Sequence, residues 1–187
     1  MVYILLGEGF EEIEAIAPCD ILRRAGVPVQ LVGLGGTEIT GGHGICVHAD
    51  ITSEQMRLDE LEMIVLPGGM GGVASIRASE SAIHAIRFAW SNGRYVAAIC
   101  AAPTLLAELG IASGRKATCY PGLESCMGQA VMQPGASTVT DDKLLTGAGP
   151  GTAYDFGLML VETLRGKKAK TDVYDGLVYR LAHPGKE

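Results

Sequence analysis

The chain has 187 residues, of which 48% are hydrophobic and 19% are charged, and its formal net charge at pH 7 is -6. This composition is typical of a compact globular protein and excludes a disordered or fibrous chain. The negative charge, with no basic cluster beyond GKKAK at residues 166–170, argues against a nucleic-acid partner.

The first fifty residues predict a βαβ unit followed by a ribbon. The apolar run VYILL at residues 2–6 predicts a buried strand, segment 10–26 a helix ended by Gly26, and residues 27–34 a second strand. Glycines divide residues 38–50 into short strand-like runs, which predicts a hairpin or a bent edge ribbon.

The middle of the chain continues the alternation of strands and helices. EMIVLPGG at residues 62–69 predicts a buried strand that ends in a tight turn. Ser79 can cap a helix over residues 80–93, YVAAI at residues 95–99 predicts a third apolar strand, and residues 101–110 predict the helix that follows it.

The last third predicts a short strand at residues 116–118, a hairpin over residues 137–146 and a helix over residues 152–166 with Thr152 as its cap. Taken together, these elements predict one α/β domain, residues 1–187, with a mostly parallel sheet covered by helices on both faces. Ligands of such sheets lie beyond the carboxyl ends of the strands, near a switch in strand order.

Cys100 lies in the stretch VAAICAAPTLL, at the joint between the third apolar strand and the next helix. A nucleophile elbow stands at this kind of joint, and N–H groups at the start of a helix can hold a thiolate or an oxyanion. The arrangement favours a low pKa for the Cys100 thiol. The alternative is a buried core cysteine, because free cysteines are among the most buried residues.

Glu14 lies on the apolar stripe of the first predicted helix, because Ala17, Pro18 and Ile21 follow it at helical spacing. Glu12 can face water instead. A buried carboxyl has a raised pKa and, when protonated, can donate a hydrogen bond to a thiolate or exchange a proton with a substrate. The alternative for Glu14 is a first-turn glutamate stabilised by the helix dipole.

Two glycine-bearing loops could complete a site around Cys100. LPGGMGG at residues 66–72 could place the Gly69 N–H opposite the Ala101 N–H as a two-donor oxyanion hole, although a tight strand-to-helix turn would use the same glycines. GAGPGTAYDF at residues 147–156 could line the same rim.

No cofactor and no metal are expected. GEGFEE at residues 7–12 superficially resembles a dinucleotide fingerprint but places acids where a pyrophosphate would lie. The five cysteines are odd in number, form no CxxC pair and lack a His-rich partner tract, which favours free thiols in a reducing compartment.

No apolar run approaches the ~18 residues that span a bilayer, so we expect a cytoplasmic protein without a membrane partner.

Four segments follow one another in the order and at the spacing of a known family: GEGFEEIEAIAPCDILRRAG, VLPGG, VAAICAAPTLL and GPGTAYDF. In them the chain resembles the ThiJ/PfpI superfamily, in the branch of the Parkinson-disease-associated protein deglycase and its bacterial relatives. AAICAAP and EExE are the specific elements, and the resemblance covers almost the whole chain. It implies a flavodoxin-like three-layer α/β sandwich with a nucleophile elbow, usually assembled as a homodimer.

The resemblance also implies roles for individual residues. Cys100 would be the reactive thiol and Glu14 its protonated carboxyl partner, while Tyr120 stands where many members carry a histidine in a T-H-P segment. That segment therefore supplies no imidazole for a Cys-His-Glu triad, which counts against peptidase and glutaminase chemistry. Gly149 and Pro150 are expected to line the pocket rim with Tyr120.

Family members are described as acting on methylglyoxal, glyoxal or early glycation adducts, and as sensing oxidation through the reactive cysteine. The first hypothesis is a cofactor-independent glyoxalase (a lyase) or deglycase (a hydrolase), whose substrate is a small 2-oxoaldehyde or a glycated protein. The alternative is a non-catalytic redox sensor or chaperone-like stress protein that works through oxidation of Cys100.

The imidazoles of the four histidines are expected to face solvent or to be hydrogen-bonded within the fold: His43, His48, His84 and His183.

Overall fold

The computed structural model describes residues 1–182. Within this range the strands, in chain order, are β1 Val2–Leu6, β2 Val29–Gly33, β3 Glu38–Thr40, β4 Cys46–His48, β5 Ile51–Thr52, β6 Met63–Leu66, β7 Tyr95–Ile99, β8 Lys116–Ala117, β9 Val131–Met132, β10 Thr138–Asp141 and β11 Leu144–Gly147. The helices are α1 Glu12–Arg24, α2 Met70–Ala78, α3 Glu80–Ser91, α4 Ala102–Glu108, α5 Ala153–Gly176 and α6 Tyr179–Ala182.

The main sheet has seven strands in the order β10-β11-β7-β6-β1-β2-β5. Every neighbouring pair is parallel except β10 and β11, which form an antiparallel hairpin at one edge. Helix α1 packs on α5, while α2 packs on α3 and α4, so that helices cover both faces of the sheet. This is the mostly parallel sheet with helices on both faces that the residue pattern predicts, and it is the flavodoxin-like three-layer sandwich that the resemblance implies.

Two smaller pairs of strands lie outside the main sheet. The antiparallel pair β3–β4 is the ribbon predicted from the glycine-divided residues 38–50, and β8 pairs with β9 in parallel. Across residues 1–182, every helix falls short of the length and apolar character that a membrane crossing requires.

The central strands are apolar along their whole length because both of their faces are covered. All five residues of β1 are at most 1% exposed, and the four residues of β6 are fully buried. The chain runs from β1 outward to β2 on one side and returns to β6 on the other, so the strand order switches between β1 and β6. The carboxyl ends of β1, β6 and β7 therefore meet at the crevice where such folds bind ligands.

Helix α2 is not among the helices that the sequence pattern predicts. Its first turn contains Gly71 and Gly72, which are poor helix formers. The structure shows what these glycines allow. A Cβ at residue 72 would lie 2.7 Å from the Cα of Phe10, so only glycine permits α2 to approach the loop after β1 this closely. Here a tertiary contact outweighs the local propensity.

Thr152 does not cap α5, contrary to the prediction. Its hydroxyl donates to the carbonyl oxygen of Gly149 at 2.9 Å and accepts from the N–H of the same residue at 3.2 Å. The hydroxyl is thus used within a short 3-10 turn at Pro150–Thr152 that precedes the helix. Ser79 does cap α3, since its hydroxyl accepts from the Ala82 N–H at 3.2 Å.

Glu12 does not face water, contrary to the prediction, and is only 6% exposed. The loop between β3 and β4 folds over it, so that its Oε1 accepts the His43 N–H at 2.8 Å and its Oε2 lies 2.8 Å from His43 Nδ1. These bonds hold the pKa of the Glu12 carboxyl below its usual value even though burial acts in the opposite direction. A buried carboxylate therefore fastens the ribbon to α1.

The close contact between α1 and α5 depends on Gly157. A Cβ there would lie 2.8 Å from the Cδ1 of Ile21 and 3.1 Å from the Cα of Pro18. Because one of these neighbours is backbone, a branched side chain at residue 157 would push the two helices apart.

We therefore expect Gly157→Val to lower the free energy of unfolding by about 2 kcal/mol or more, the usual cost of overpacking a well-packed interior. Gly176→Val is the control, in the part of α5 that follows the non-helical Gly166, because among the described residues no atom outside the local helix backbone lies within 4 Å of a Cβ built there. Urea unfolding of both variants measures the difference. Equal stabilities would show that α1 and α5 are not in contact at residue 157.

Candidate active site

Cys100 stands at the turn between β7 and α4 with a φ of +65°, a conformation that non-glycine residues rarely adopt. Neighbouring backbone holds this turn on both sides. The Cys100 N–H donates to the Gly147 oxygen at 3.0 Å, and the Tyr120 N–H donates to the Cys100 oxygen at 2.8 Å. The strained turn raises the thiol out of the sheet, as a nucleophile elbow does, and leaves the residue 9% exposed.

Glu14 lies in the first turn of α1 and is fully buried, as its position on the apolar stripe predicts. Its Oε2 accepts the Gly68 N–H at 2.7 Å. Its Oε1 is buried without a hydrogen-bond partner of good geometry in the described chain, while the Cys100 thiol lies close enough to interact with the carboxyl. One carboxyl oxygen is therefore fixed and the other is left for the thiol or for a substrate.

Gly68 is where the two side chains meet. A Cβ at this residue would lie 2.6 Å from Glu14 Oε2 and 3.0 Å from Cys100 Sγ. Any other residue would separate the carboxyl from the thiol, so the pair requires glycine here. In the sequence, the signal for Gly68 is the Pro-Gly-Gly turn after β6, which predicts a tight turn but not the contact with Glu14 and Cys100.

Two backbone N–H groups, those of Gly69 and Ala101, interact with the Cys100 sulfur. Gly69 has a φ of +81°, which favours glycine and turns its N–H toward the thiol, while Ala101 begins the turn into α4. These are the two amides predicted as an oxyanion hole. The structure brings both of them to the sulfur, where they can stabilise negative charge on it or on an adjacent oxygen.

The pocket opposes the ionisation of both of its acidic groups. Burial raises the pKa of Glu14 to about 7, although the bonds from Cys100 and Gly68 act against this. Burial, followed by the nearby charge of Glu14, also raises the pKa of the Cys100 thiol, while the amides of Ala101 and Gly69 lower it in part. The low thiol pKa expected from the helix start alone is therefore wrong. The pair accepts one negative charge far more readily than two.

Tyr120 and Gly149 lie together beside Cys100. A Cβ on Gly149 would be 3.3 Å from the Tyr120 ring, which is half exposed, and Pro150 begins the short turn that follows. Among the described residues that influence the thiol no histidine is found. The imidazoles of His48 and His84 are exposed on β4 and α3.

One group of possible metal ligands occurs among residues 1–182. Ligand atoms of Glu11, Glu12 and His43 lie within 4.8 Å of one another near the start of α1. His43 is exposed, and its contact with Glu12 raises the pKa of the imidazole. His183 lies outside the described residues.

The raised pKa of Glu14 makes a prediction about stability and pH. A carboxyl whose pKa rises from 4.5 to about 7 on folding favours the folded state when protonated, so this contribution is complete below pH 4.5 and is lost as the pH passes 7. Between pH 4.5 and pH 8, the free energy of unfolding of wild-type protein should fall by on the order of 3 kcal/mol relative to that of Glu14→Gln. Urea unfolding at the two pH values measures this, and a constant difference would contradict the pKa.

Comparisons with known proteins identify the family. The DJ-1/PfpI family model matches residues 1–163. Protein dj-1beta of Drosophila melanogaster is 38% identical over 177 residues, covering 94% of this chain and 95% of that protein, and its crystal structure superposes with a TM-score of 0.91 over 95% and 96% of the two chains. A protein named deglycase from Pyrococcus abyssi is 33% identical over 165 residues, covering 88% of this chain and 99% of that protein. The chain belongs to the DJ-1/PfpI family.

Proposed function

We propose that this DJ-1-type protein is a cysteine-dependent enzyme of the glyoxalase or deglycase type. Its substrates would be methylglyoxal, glyoxal or their early adducts on proteins, and its role would be defence against carbonyl and oxidative stress. The observation that carries the proposal is the meeting of Cys100 and Glu14 at Gly68, beneath the amides of Gly69 and Ala101. A nucleophile, an acid–base group and two charge-stabilising donors share one pocket.

The first step follows from the shared charge of the pair. A carboxyl with a pKa of about 7 is poised to take up and release a proton at neutral pH. The ionised Glu14 removes the thiol proton as the Cys100 sulfur adds to the aldehyde carbon. The negative charge then moves to the substrate oxygen, where the Gly69 and Ala101 N–H groups would hold it.

The second step moves a proton along the carbon chain. Glu14 first passes the thiol proton to the substrate oxygen, which regenerates its carboxylate. Its Oε1, which no group of the described chain binds with good geometry, would then remove the hydrogen of the former aldehyde carbon as a proton, leaving an enediolate, and return it to the neighbouring carbonyl carbon. The hydroxyl proton of the first oxygen moves to the second oxygen. The aldehyde carbon is thereby oxidised to a thioester and the ketone carbon is reduced to an alcohol, so no external oxidant is needed. Water cleaves the thioester, which releases lactate and restores the Cys100 thiol.

The deglycase-named relatives support the second substrate class. The proteins of this name from Pyrococcus abyssi and Pyrococcus horikoshii are 33% and 32% identical to this chain. Early adducts carry the same carbon skeleton as the free 2-oxoaldehyde, so the same two residues could act on them. In this mechanism Cys100 and Glu14 do all of the bond-making and proton transfer, and no cofactor is required.

A redox-sensing role is the second candidate, because the same pocket suits an oxidised sulfur. Below pH 7 the protonated Glu14 can donate a hydrogen bond to a sulfinate oxygen, and the two amides can stabilise its negative charge. In this role, as sensor or chaperone-like stress protein, oxidation of Cys100 would be the signal and no turnover would occur.

We also propose that the chain forms a homodimer and acts in the cytoplasm. Three isoleucines on the outer face of α1 and on the ribbon loop, Ile13, Ile16 and Ile45, are 50%, 40% and 57% exposed. Such exposed apolar side chains suit an interface between two copies related by a two-fold axis.

The proposed cytoplasmic location is supported by the cysteines, because all five are free, which suits a reducing compartment.

Cys100→Ser should lower lactate formation from methylglyoxal by at least about 10³-fold, because a serine hydroxyl is a far poorer nucleophile in this pocket. Cys119→Ser is the matched control. Cys119 is also buried, and its thiol donates to the Tyr120 carbonyl oxygen at 3.5 Å. Lactate is measured in each variant. If wild-type protein formed none, yet peroxide converted Cys100 to sulfinate, the sensor would replace the enzyme.

The dimer should dissociate when charge enters its apolar patch. We expect light scattering at micromolar concentration to give a dimer mass for wild-type protein and a monomer mass for Ile16→Asp, because burying an unpaired carboxylate is costly. Val131→Asp, which alters an aliphatic side chain of similar exposure on β9, should remain dimeric. A monomeric wild-type protein would refute the dimer.

A further inference from the structure

Thr146 is a fully buried polar residue of β11 that the mechanism proposed above does not use. It lies opposite Ala98 of β7 and directly before Gly147, whose oxygen accepts the Cys100 N–H at 3.0 Å. Its hydroxyl oxygen accepts the Thr118 N–H at 2.9 Å. A buried hydroxyl beside the elbow therefore holds the backbone of a different segment, residues 118–120.

This segment reaches the elbow through one hydrogen bond. The Tyr120 N–H donates to the Cys100 oxygen at 2.8 Å. That oxygen belongs to the peptide group joining Cys100 to Ala101, and the N–H of the same group interacts with the Cys100 sulfur. Because a peptide group is planar, a bond at its oxygen also fixes the direction of its N–H. The bond polarises the group as well, which strengthens the N–H as a donor.

We propose that Thr146 is a positioning residue, which acts through residues 118–120 to hold the Cys100–Ala101 peptide with its N–H directed at the reacting sulfur. Thr146 is fully buried, so it acts through this segment and not by contact with a substrate. The end of β11 then holds both backbone groups of Cys100, the N–H through Gly147 and the carbonyl through Thr146.

A purely structural role for Thr146 would end at Thr118. In either role, loss of the hydroxyl leaves a buried N–H without its partner and lowers stability. Only the positioning role extends to Cys100, where it changes the ionisation of the thiol and the stabilisation of an oxyanion. The effect on turnover rests on the function proposed above, whereas the effect on the thiol does not.

The test begins with Thr146→Val, which keeps the shape of the side chain and removes its hydroxyl, and with Thr146→Ser, which keeps the hydroxyl. Ser79→Ala is the matched control on α3, because the Ser79 hydroxyl also accepts a backbone N–H, that of Ala82 at 3.2 Å. Hydrogen exchange of the Tyr120 amide, measured by NMR relative to the Val96 amide of β7, reports local opening. We expect this ratio to rise at least about tenfold in Thr146→Val alone.

The reactivity of Cys100 is measured at pH 7.5 with iodoacetamide, which forms a thioether to the sulfur and releases iodide. The exposed Cys46 and Cys126 are first replaced by serine. We expect Thr146→Val to slow alkylation about threefold and to lower kcat for lactate formation about tenfold, with KM changed less than about twofold. Thr146→Ser and Ser79→Ala should retain wild-type values.

A second variant removes the same hydrogen bond without changing Thr146. Replacing Tyr120 by its 2-hydroxy acid, introduced by nonsense suppression, puts an ester oxygen in place of the N–H and keeps the phenol. We expect the same losses of alkylation rate and kcat. The control is an ester at Val27, whose N–H donates to the Leu22 oxygen at 3.0 Å away from the elbow. It should leave both rates unchanged.

Wild-type alkylation in folded Thr146→Val, or an equal loss in Ser79→Ala, would overturn the role of Thr146. If Thr146→Val does not fold, the ester at residue 120 decides, and wild-type alkylation there would overturn the proposal. Slowed alkylation in a protein that forms no lactate would refute the enzyme and leave Thr146 as the positioning residue of a thiol site. Lactate formation with unchanged kcat and alkylation would leave the enzyme and refute the positioning role.

Discussion

The candidate active site depends on one electrostatic constraint. The Glu14 carboxyl and the Cys100 thiol share a buried space that accommodates one negative charge but not two. Glycine at residue 68 lets the groups approach, and because Glu14 is fully buried and Cys100 is only 9% exposed, water screens their charges poorly. Three parallel strands, β1, β6 and β7, end at this point. The segments that follow them, the start of α1, the glycine turn and the turn into α4, supply Glu14, Gly68 and Cys100 in that order. The proximity of the two side chains, and with it the reactivity of the pair, therefore depends on the order of the strands in the sheet.

The parts of the fold that could be predicted are those governed by local periodicity. β1, β6 and β7 are continuous apolar runs because strands covered on both faces bury every side chain. Helical spacing alone places Glu14 on the buried side of α1. The change from a continuous apolar strand run to a helical pattern places Cys100 at the end of its strand. Both are indeed buried where the sequence puts them.

What could not be predicted depends on contacts between distant segments. Glu12 has the spacing of an exposed residue, and only the return of the β3–β4 loop covers it. Helix α2 begins with glycines that a propensity argument rejects but that the loop at Phe10 requires. The amides at the helix start and burial shift the pKa of the Cys100 thiol in opposite directions, and burial, the larger effect, depends on contacts between distant segments.

The left-handed backbone of Cys100 has a consequence for how the protein can change. Its φ of +65° suits glycine better than any residue with a Cβ, and such strain costs of order 1 kcal/mol. The chain would therefore fold more stably without its nucleophile than with it. Selection for thermal stability alone would favour an inert glycine at this backbone conformation, whereas a requirement for the thiol opposes that change. The elbow is a place where stability and reactivity compete directly.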